Sequence, residues 1–276
     1  MLYPVSYVYK PPLPVCINWE HPLARGLVGC WLFNEGGGNT VFDLSGYGNH
    51  GSFIDAPAWI IGKFGSALSF DGSNDRVSIS SLNLGTRNTL ALWVKYSTSD
   101  TYHTAPLGSG ENSRYFFNRF PSNFYFKLNN SYTSHSYSAP LDEWLFLAWV
   151  RDNTDGDLYV NGEYHSTISN SNWDGIDTII AEFGRIYDSN DYCFQGSLDC
   201  IMFFDHLLSP EEIWQLYTDP FCMFYHPLEA ELLYAAPPVA ALWRKIAYET
   251  EPPVAGWNKI KREAGTGWRK ILYDGE

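Results

Sequence analysis

Three groups of residues in this 276-residue chain have the types and spacing to do chemistry. The first is Asp43-Leu44-Ser45-Gly46-Tyr47-Gly48-Asn49-His50-Gly51. It gathers carboxylate, amide and carbonyl oxygens in a turn-rich segment, the ligand set that a hard cation takes. Asp43 and Asn49 equally suit Asx-turns, in which the side chain caps its own backbone and no ion is needed. The second is Ser113–Tyr125, with Arg114, Tyr115, Arg119 and Tyr125; Trp173-Asp174 and Tyr187–Tyr192 share its aromatic–polar composition. An aromatic ring can stack on the apolar face of a sugar while amide and guanidinium groups fix its hydroxyls, so these are glycan-binding candidates. The third is a repeat near the C-terminus, Trp-x-Lys-Ile, which places Trp243 with Ile246, Trp257 with Ile260 and Trp268 with Ile271. Such pieces suit a small three-stranded appendage whose tryptophans pack on each other. They equally suit a docking strip that adds strands to a partner's sheet edge and buries its Trp anchors.

Other chemistry lacks its residues. There is no Gly-x-Ser-x-Gly elbow, no His-Glu-x-x-His and no phosphate-cradling glycine loop. Gly36-Gly37-Gly38 has no helix start after it and reads as a turn. The seven histidines show no metal-ligand spacing. Asp152–Asp157 is acidic but falls where a hairpin turn is expected. Cys16, Cys30, Cys193, Cys200 and Cys222 are odd in number and include no Cys-x-x-Cys pair, which predicts buried free thiols in a chain made in a reducing cytoplasm.

The elements that must hold these groups can be read from pattern. From Gly26 to Phe204, short runs rich in aromatic and β-branched residues alternate with Gly, Asn, Asp and Ser, which predicts a sandwich or barrel. Trp144–Arg151 and Asp157–Val160 are two such strands, and Asn161-Gly162 has the chemistry of a tight hairpin turn. One helix is expected at Ser209–Tyr217, with Ser209 as N-cap, Pro210 at the first helical position and Glu212 completing a capping box. Pro4, Pro11, Pro12 and Pro14 make residues 1–20 an extended arm. The expected organisation is arm 1–20, body 21–225 and tail 226–276.

Composition narrows the classes further. Aromatics are 17% of the chain and apolar residues 45%, too many for intrinsic disorder. The net charge of −13 divides unevenly: residues 1–234 carry −15 and residues 235–276 carry +2. An acidic body gains nothing from phosphate counterion release, so nucleic acid is not an expected partner. No apolar run reaches the ~18 residues of a membrane-spanning helix.

Four blocks in order carry a family resemblance: GLVGCWLFNEGGGNTVFDLSGYGNHG from Gly26, GKFGSALSFDGSNDRVSI from Gly62, WLFLAWVRDNTDGDLYVNG from Trp144 and GSLDCIMFFDHLLSPEEIWQLY from Gly196. Together they resemble the laminin-G-like branch of the concanavalin A-like lectin/glucanase superfamily over residues 21–225. The resemblance implies an all-β jelly-roll sandwich of two antiparallel sheets. It also implies a structural Ca²⁺ held by Asp43, Gly48, Asn49 and Asp199. Glucanases of the superfamily carry a Glu-x-Asp-x-x-Glu-like run on one strand; this chain has none, so a non-enzyme is expected. The lead-in INWEHPLARGLVG, the exit DPFCMF and the Trp/Lys-rich tail look like laminin-G-like proteins of tailed bacteriophages. That likeness implies a capsid- or tail-associated protein on the virion surface, with phage proteins and copies of itself as partners. The alternatives are a carbohydrate-binding module and, behind it, a glycoside hydrolase with displaced acids.

Overall fold

The computed structural model describes residues 9–97, 105–109, 114–120, 122–129, 131–185 and 193–225. Within them sixteen strands follow in chain order. The first six are β1 (Leu27–Trp31), β2 (Thr40–Val41), β3 (Gly51–Ile54), β4 (Ala58–Ile61), β5 (Ser66–Asp71) and β6 (Arg76–Asn83). Next come β7 (Arg87–Tyr96), β8 (Leu107–Gly108), β9 (Tyr115–Phe120), β10 (Asn123–Leu128) and β11 (Ser131–Ser136). The last five are β12 (Trp144–Asp152), β13 (Asp155–Val160), β14 (Glu163–Ser169), β15 (Ile179–Phe183) and β16 (Gln195–Phe204), before helix α1 (Pro210–Thr218).

The strands form two antiparallel sheets, as an all-β sandwich requires. One runs β14-β13-β12-β7-β16-β5-β4, with β1 pairing the far half of β16; the other runs β11-β10-β9-β8-β15-β6-β3-β2. Their inner faces share a core dominated by aromatics, among them Trp31, Trp149, Phe116, Phe126 and Phe183. A second apolar cluster covers the outer face of the first sheet, where Ile213 and Leu216 of α1 pack with Phe146, Met202 and Phe204. Trp93 on that face stacks on Tyr217 at 5.6 Å. This is why the central strands β7, β12 and β16 of the first sheet read as continuously apolar: both of their faces are covered. No helix among the described residues is long and apolar enough to cross a membrane.

Local chemistry sets the ends of these elements. The α1 capping box forms in both directions, with the Ser209 N–H donating to Glu212 at 2.8 Å and the Glu212 N–H donating to the Ser209 hydroxyl. The β13–β14 turn places Asn161 and Gly162 both at positive φ (50° and 84°), the geometry of a type I′ hairpin. None of the five cysteines forms a disulfide, and Cys30, Cys193 and Cys200 are buried. Burial raises the Cys193 thiol to about 11 and the Cys222 thiol to about 12, so neither is a nucleophile near neutrality.

His135 clasps the two sheets at one edge. It is 1% exposed, points inward from β11, and its Nδ1 lies 2.7 Å from the Ser166 hydroxyl of β14. Burial first, and then His165, hold its pKa down to about 3. Its Nε2 has no hydrogen-bond partner, so protonation would create a buried N–H⁺ with no acceptor. The unfolded chain takes up this proton near 6.5, whereas the native state resists it until about 3. The stability due to neutral His135 is therefore complete above pH 6.5 and is lost as pH falls toward 3. Denaturant melts at pH 7 and pH 4.5 should show a smaller loss on acidification for His135→Gln than for the unaltered chain; equal losses would contradict this assignment.

Candidate functional site

The side of β9–β11 that faces away from the core carries the candidate site. In β10 the alternation is strict: Phe124, Phe126 and Leu128 are fully buried, so Asn123, Tyr125 and Lys127 face outward. Register extends that face across the hairpins. Asn123 pairs with Phe120 and Ser136, Tyr125 with Asn118 and Ser134, and Lys127 with Tyr115 and Tyr132. The side away from the core is thus a three-by-three grid of four aromatic rings, two amides, two hydroxyls and one ammonium, in which Tyr115 and Asn118 are themselves buried.

A bulge in β9 makes this grid possible. Phe117 sits at φ 59°, and the register with β10 shifts between Tyr125 and Lys127. Phe116 and Phe117 consequently both enter the core, while Tyr115 and Asn118 on either side both remain on the outer face. Tyr96 closes the bulge by donating its buried hydroxyl to the Phe117 carbonyl at 2.8 Å.

The rings on the outer face touch. Phe120 and Tyr125 lie 4.6 Å apart and Tyr125 and Tyr132 6.1 Å apart, centroid to centroid. Tyr115 packs with Tyr125 and Ala105 in a small apolar cluster of its own, and Lys127 Nζ lies 6.0 Å over the Tyr115 ring. Tyr132 is 63% exposed. None of the nine residues is a carboxylate. The same outer row continues through Gly108 to Glu182, whose carboxylate is held by Arg185 in two 2.7 Å contacts with Arg76 at 3.6 Å. That bidentate pairing leaves Glu182 committed to structure.

The structure sorts the sequence-predicted glycan residues. Tyr115 and Tyr125 come together on the outer face. Arg119 does not join them: it lies opposite Phe124, is 5% exposed, and donates from Nε and Nη2 to the Ala139 carbonyl at 3.1 and 2.8 Å. Arg114 donates from Nε to the Asp177 carbonyl at 3.1 Å. Trp173 is a correction. It is fully buried against Trp149 and donates its indole N–H to the Ser131 carbonyl at 3.1 Å, so no sugar can reach its face. Arg151, also fully buried, donates to the Trp173 carbonyl at 2.9 Å and fixes that turn against the core. Phe120, Lys127 and Tyr132 were not singled out in the sequence; period-two alternation through β10 and β11 was the signal that could have found them. Tyr187–Tyr192 and the Trp243, Ile246, Trp257, Ile260, Trp268 and Ile271 set lie outside the described residues.

The implied calcium residues do not fit a cation. Asp43 Oδ1 accepts from the Cys30 and Ser45 N–H groups at 3.0 and 2.9 Å, and its Oδ2 accepts from the Ser45 hydroxyl and the Asn49 N–H at 2.8 and 3.0 Å. The Asn49 carbonyl accepts from the Trp31 indole at 3.0 Å, and Gly48 provides the left-handed turn at φ 76°. Asp199 has a separate shell of donors: Lys10, the Cys200 thiol, and the Lys63 and Phe64 N–H groups. A metal ligand must offer a free lone pair, and both carboxylates have theirs turned to hydrogen donors. Among the described residues no three His, Cys, Asp or Glu side chains are grouped to hold a metal.

The comparisons with known proteins agree with this architecture. A family model described as the concanavalin A-like lectin/glucanases superfamily matches residues 71–214, more than half of the chain. The chain belongs to this superfamily. Comparison with curated proteins gives no match. Domain 4 of AbnA, an extracellular GH43 arabinanase of Geobacillus stearothermophilus solved in complex with arabinotriose, superposes with a TM-score of 0.57 at 18% identity, over 69% of this chain and 98% of that one. The binding domain of Paraclostridial Mosquitocidal Protein 1 gives 0.58 at 15% identity, over 72% of this chain and 53% of that one. The ligand binding domain of botulinum neurotoxin serotype D, solved with N-acetylneuraminic acid, gives 0.55 at 17% identity, over 70% and 51%. The chain spans about half of each toxin structure, and at these identities the likeness is one of fold.

Because both carboxylates of the implied metal set are already satisfied, chelation should not destabilise this member of the superfamily. Its melting temperature with EDTA should stay within ~1 °C of the value with millimolar Ca²⁺, as expected when no ion binds the native state. A drop of several degrees reversed by Ca²⁺ would contradict the donor assignment.

Proposed function

We propose that this protein is a non-enzymatic glycan-binding module whose ligand lies on the outer face of β9–β11. One observation carries the reading: Phe120, Tyr125 and Tyr132 form a continuous, partly exposed aromatic strip edged by Asn123, Lys127 and Ser134. Rings of this kind stack on the C–H faces of a sugar, and flanking amide, hydroxyl and ammonium groups hydrogen-bond its hydroxyls. The lack of any carboxylate among the nine outward residues supports binding without hydrolysis, which needs two acids flanking the scissile bond. The arabinotriose-bound AbnA domain, matched over nearly its whole length, supports the same ligand class. Tyr125→Ala and Tyr132→Ala should each weaken binding of a glycan identified by array screening roughly tenfold, about 1.4 kcal/mol; the change at the exposed Tyr132 should do so without shifting the melting temperature, whereas that at Tyr125, packed on Phe120 and Tyr115, should also lower it. Unchanged affinity in the double variant would remove the strip from the account.

A second reading concerns where the module works. The phage-like lead-in, exit and tail point to display on a virion surface, with the arm and tail attaching the module or joining its copies. Ile17 bridges Phe224, and the Tyr225 N–H donates to the Cys16 carbonyl at 3.0 Å, so residues 16–17 lie beside residues 224–225. The arm runs over β5 and the loop before it, whereas the aromatic strip lies on the strands at the β11–β14 edge. The charge split, −15 in residues 1–234 and +2 in residues 235–276, favours docking of the tail to an acidic lattice. Deleting residues 235–276 should abolish co-sedimentation with particles while leaving glycan binding intact; undiminished association would exclude the tail as the attachment.

A further inference from the structure

The N-terminal arm places a buried charge where the sandwich would otherwise hold an unpaired carboxylate. Asp199 on β16 is fully buried. Its Oδ2 accepts from the backbone N–H groups of Lys63 and Phe64 at 3.0 and 3.3 Å, binding the GKFG loop to the GSLD strand. Its Oδ1 meets the Nζ of Lys10, whose side chain is 4% exposed, and Nζ also donates to the Ser66 carbonyl. The peptide around Lys10 is held as well: its N–H donates to the Phe64 carbonyl and Asn34 donates to the Pro11 carbonyl, both at 3.2 Å. Residues on both sides line a single cavity, with Tyr9, Pro12 and Leu13 facing Asn34, Phe64 and Ser66. Gly62 is required for the approach, because a Cβ there would come within 2.7 Å of Asp199 Oδ2 and 2.3 Å of Ala67 Cβ.

A carboxylate and an ammonium are each costly to bury and become tolerable only as a hydrogen-bonded pair. A bare cation would find only part of a coordination shell, since two of the groups facing Asp199 are N–H donors. Lys10, Ser66 and the Gly62–Gly65 loop all lie outside the span 71–214 matched to the superfamily, whereas Asp199 lies within it. We propose that Asp199, the Ser66 carbonyl and the Gly62–Gly65 loop form a receptor for a primary alkylammonium presented on an extended, proline-flanked peptide. Lys10 fills it from the same chain, and this plug, instead of a bound metal, locks the arm onto the jelly roll. The proposal is independent of the glycan reading.

Two measurements test it on the full-length chain. Brief acetylation of the native protein, followed by mass spectrometry, should modify Lys10 at least roughly tenfold more slowly than the exposed Lys63, because reaction at a buried amine requires local opening. Equal rates would overturn the proposal. Lys10→Ala should lower the melting temperature by about 10 °C, the size expected when a buried pair loses one partner in a body of some 200 residues. Added n-butylammonium should recover much of that loss in a saturable way, and tetramethylammonium, with the same charge and no N–H, should not. Rescue by both ammonium ions equally, or by Ca²⁺ and not by n-butylammonium, would also overturn it. If Lys10→Ala folds only with n-butylammonium present, that is the same positive result; if it folds under no condition, the acetylation of the unaltered chain decides alone.

Discussion

A single extra residue in β9 sends two consecutive phenylalanines, Phe116 and Phe117, into the core. Strict alternation would turn one of them to the outside and carry every later residue of the strand to the wrong face. The bulge at Phe117 absorbs that conflict. It adds a second ring to the packing around Phe126 and Trp149, and it also restores Tyr115 and Asn118 to the same outer face. The aromatic strip on which the proposed function rests is therefore a consequence of how the core is filled. A ring-rich core sets the backbone inversion, the inversion sets the face, and the face determines which polar side chains stand among the exposed rings. The Tyr96 hydroxyl on the bulge carbonyl ties the arrangement to β7, in the middle of the opposite sheet.

The buried carboxylates follow a second common rule. Asp43 gathers a loop by accepting four hydrogen bonds from its own neighbourhood, and Asp199 joins a loop, a strand and the N-terminal arm. In both cases the negative charge is balanced by protein donors. The result is a body whose long loops are organised by internal polar contacts of low conformational freedom, which is what a binding face built on short hairpins needs if it is to keep its shape without a ligand.

How much of this could be read from the sequence depended on whether a residue's neighbours were local. The α1 cap, the Asn161-Gly162 turn and the central strands β7, β12 and β16 of the first sheet are set by residues close in the chain, and they appear where pattern puts them. Strands β11 (SYTSHS) and β14 (EYHSTIS) are edge strands with few apolar residues, so hydrophobic periodicity passes over them. The glycan candidates failed selectively for a related reason. Composition marked Ser113–Tyr125 as an aromatic–polar region, but Arg119 and Trp173 turn inward because of register and of a short turn fixed by Arg151, and neither is written in local composition. Lys10 was invisible for the strongest version of the same reason: its partner lies 189 positions away, and nothing in a proline-rich arm signals that one of its side chains will be buried.

The central claim is that a sugar contacts the outer face of β9–β11. Amide chemical-shift mapping of the isotopically labelled protein, titrated with an oligosaccharide selected on an array, addresses it most directly. The account predicts saturable shifts concentrated at Phe120, Asn123, Tyr125, Lys127 and Tyr132, with the Asp43 loop and α1 unmoved. Shifts centred on any other part of the surface, with β9–β11 unmoved, would contradict it.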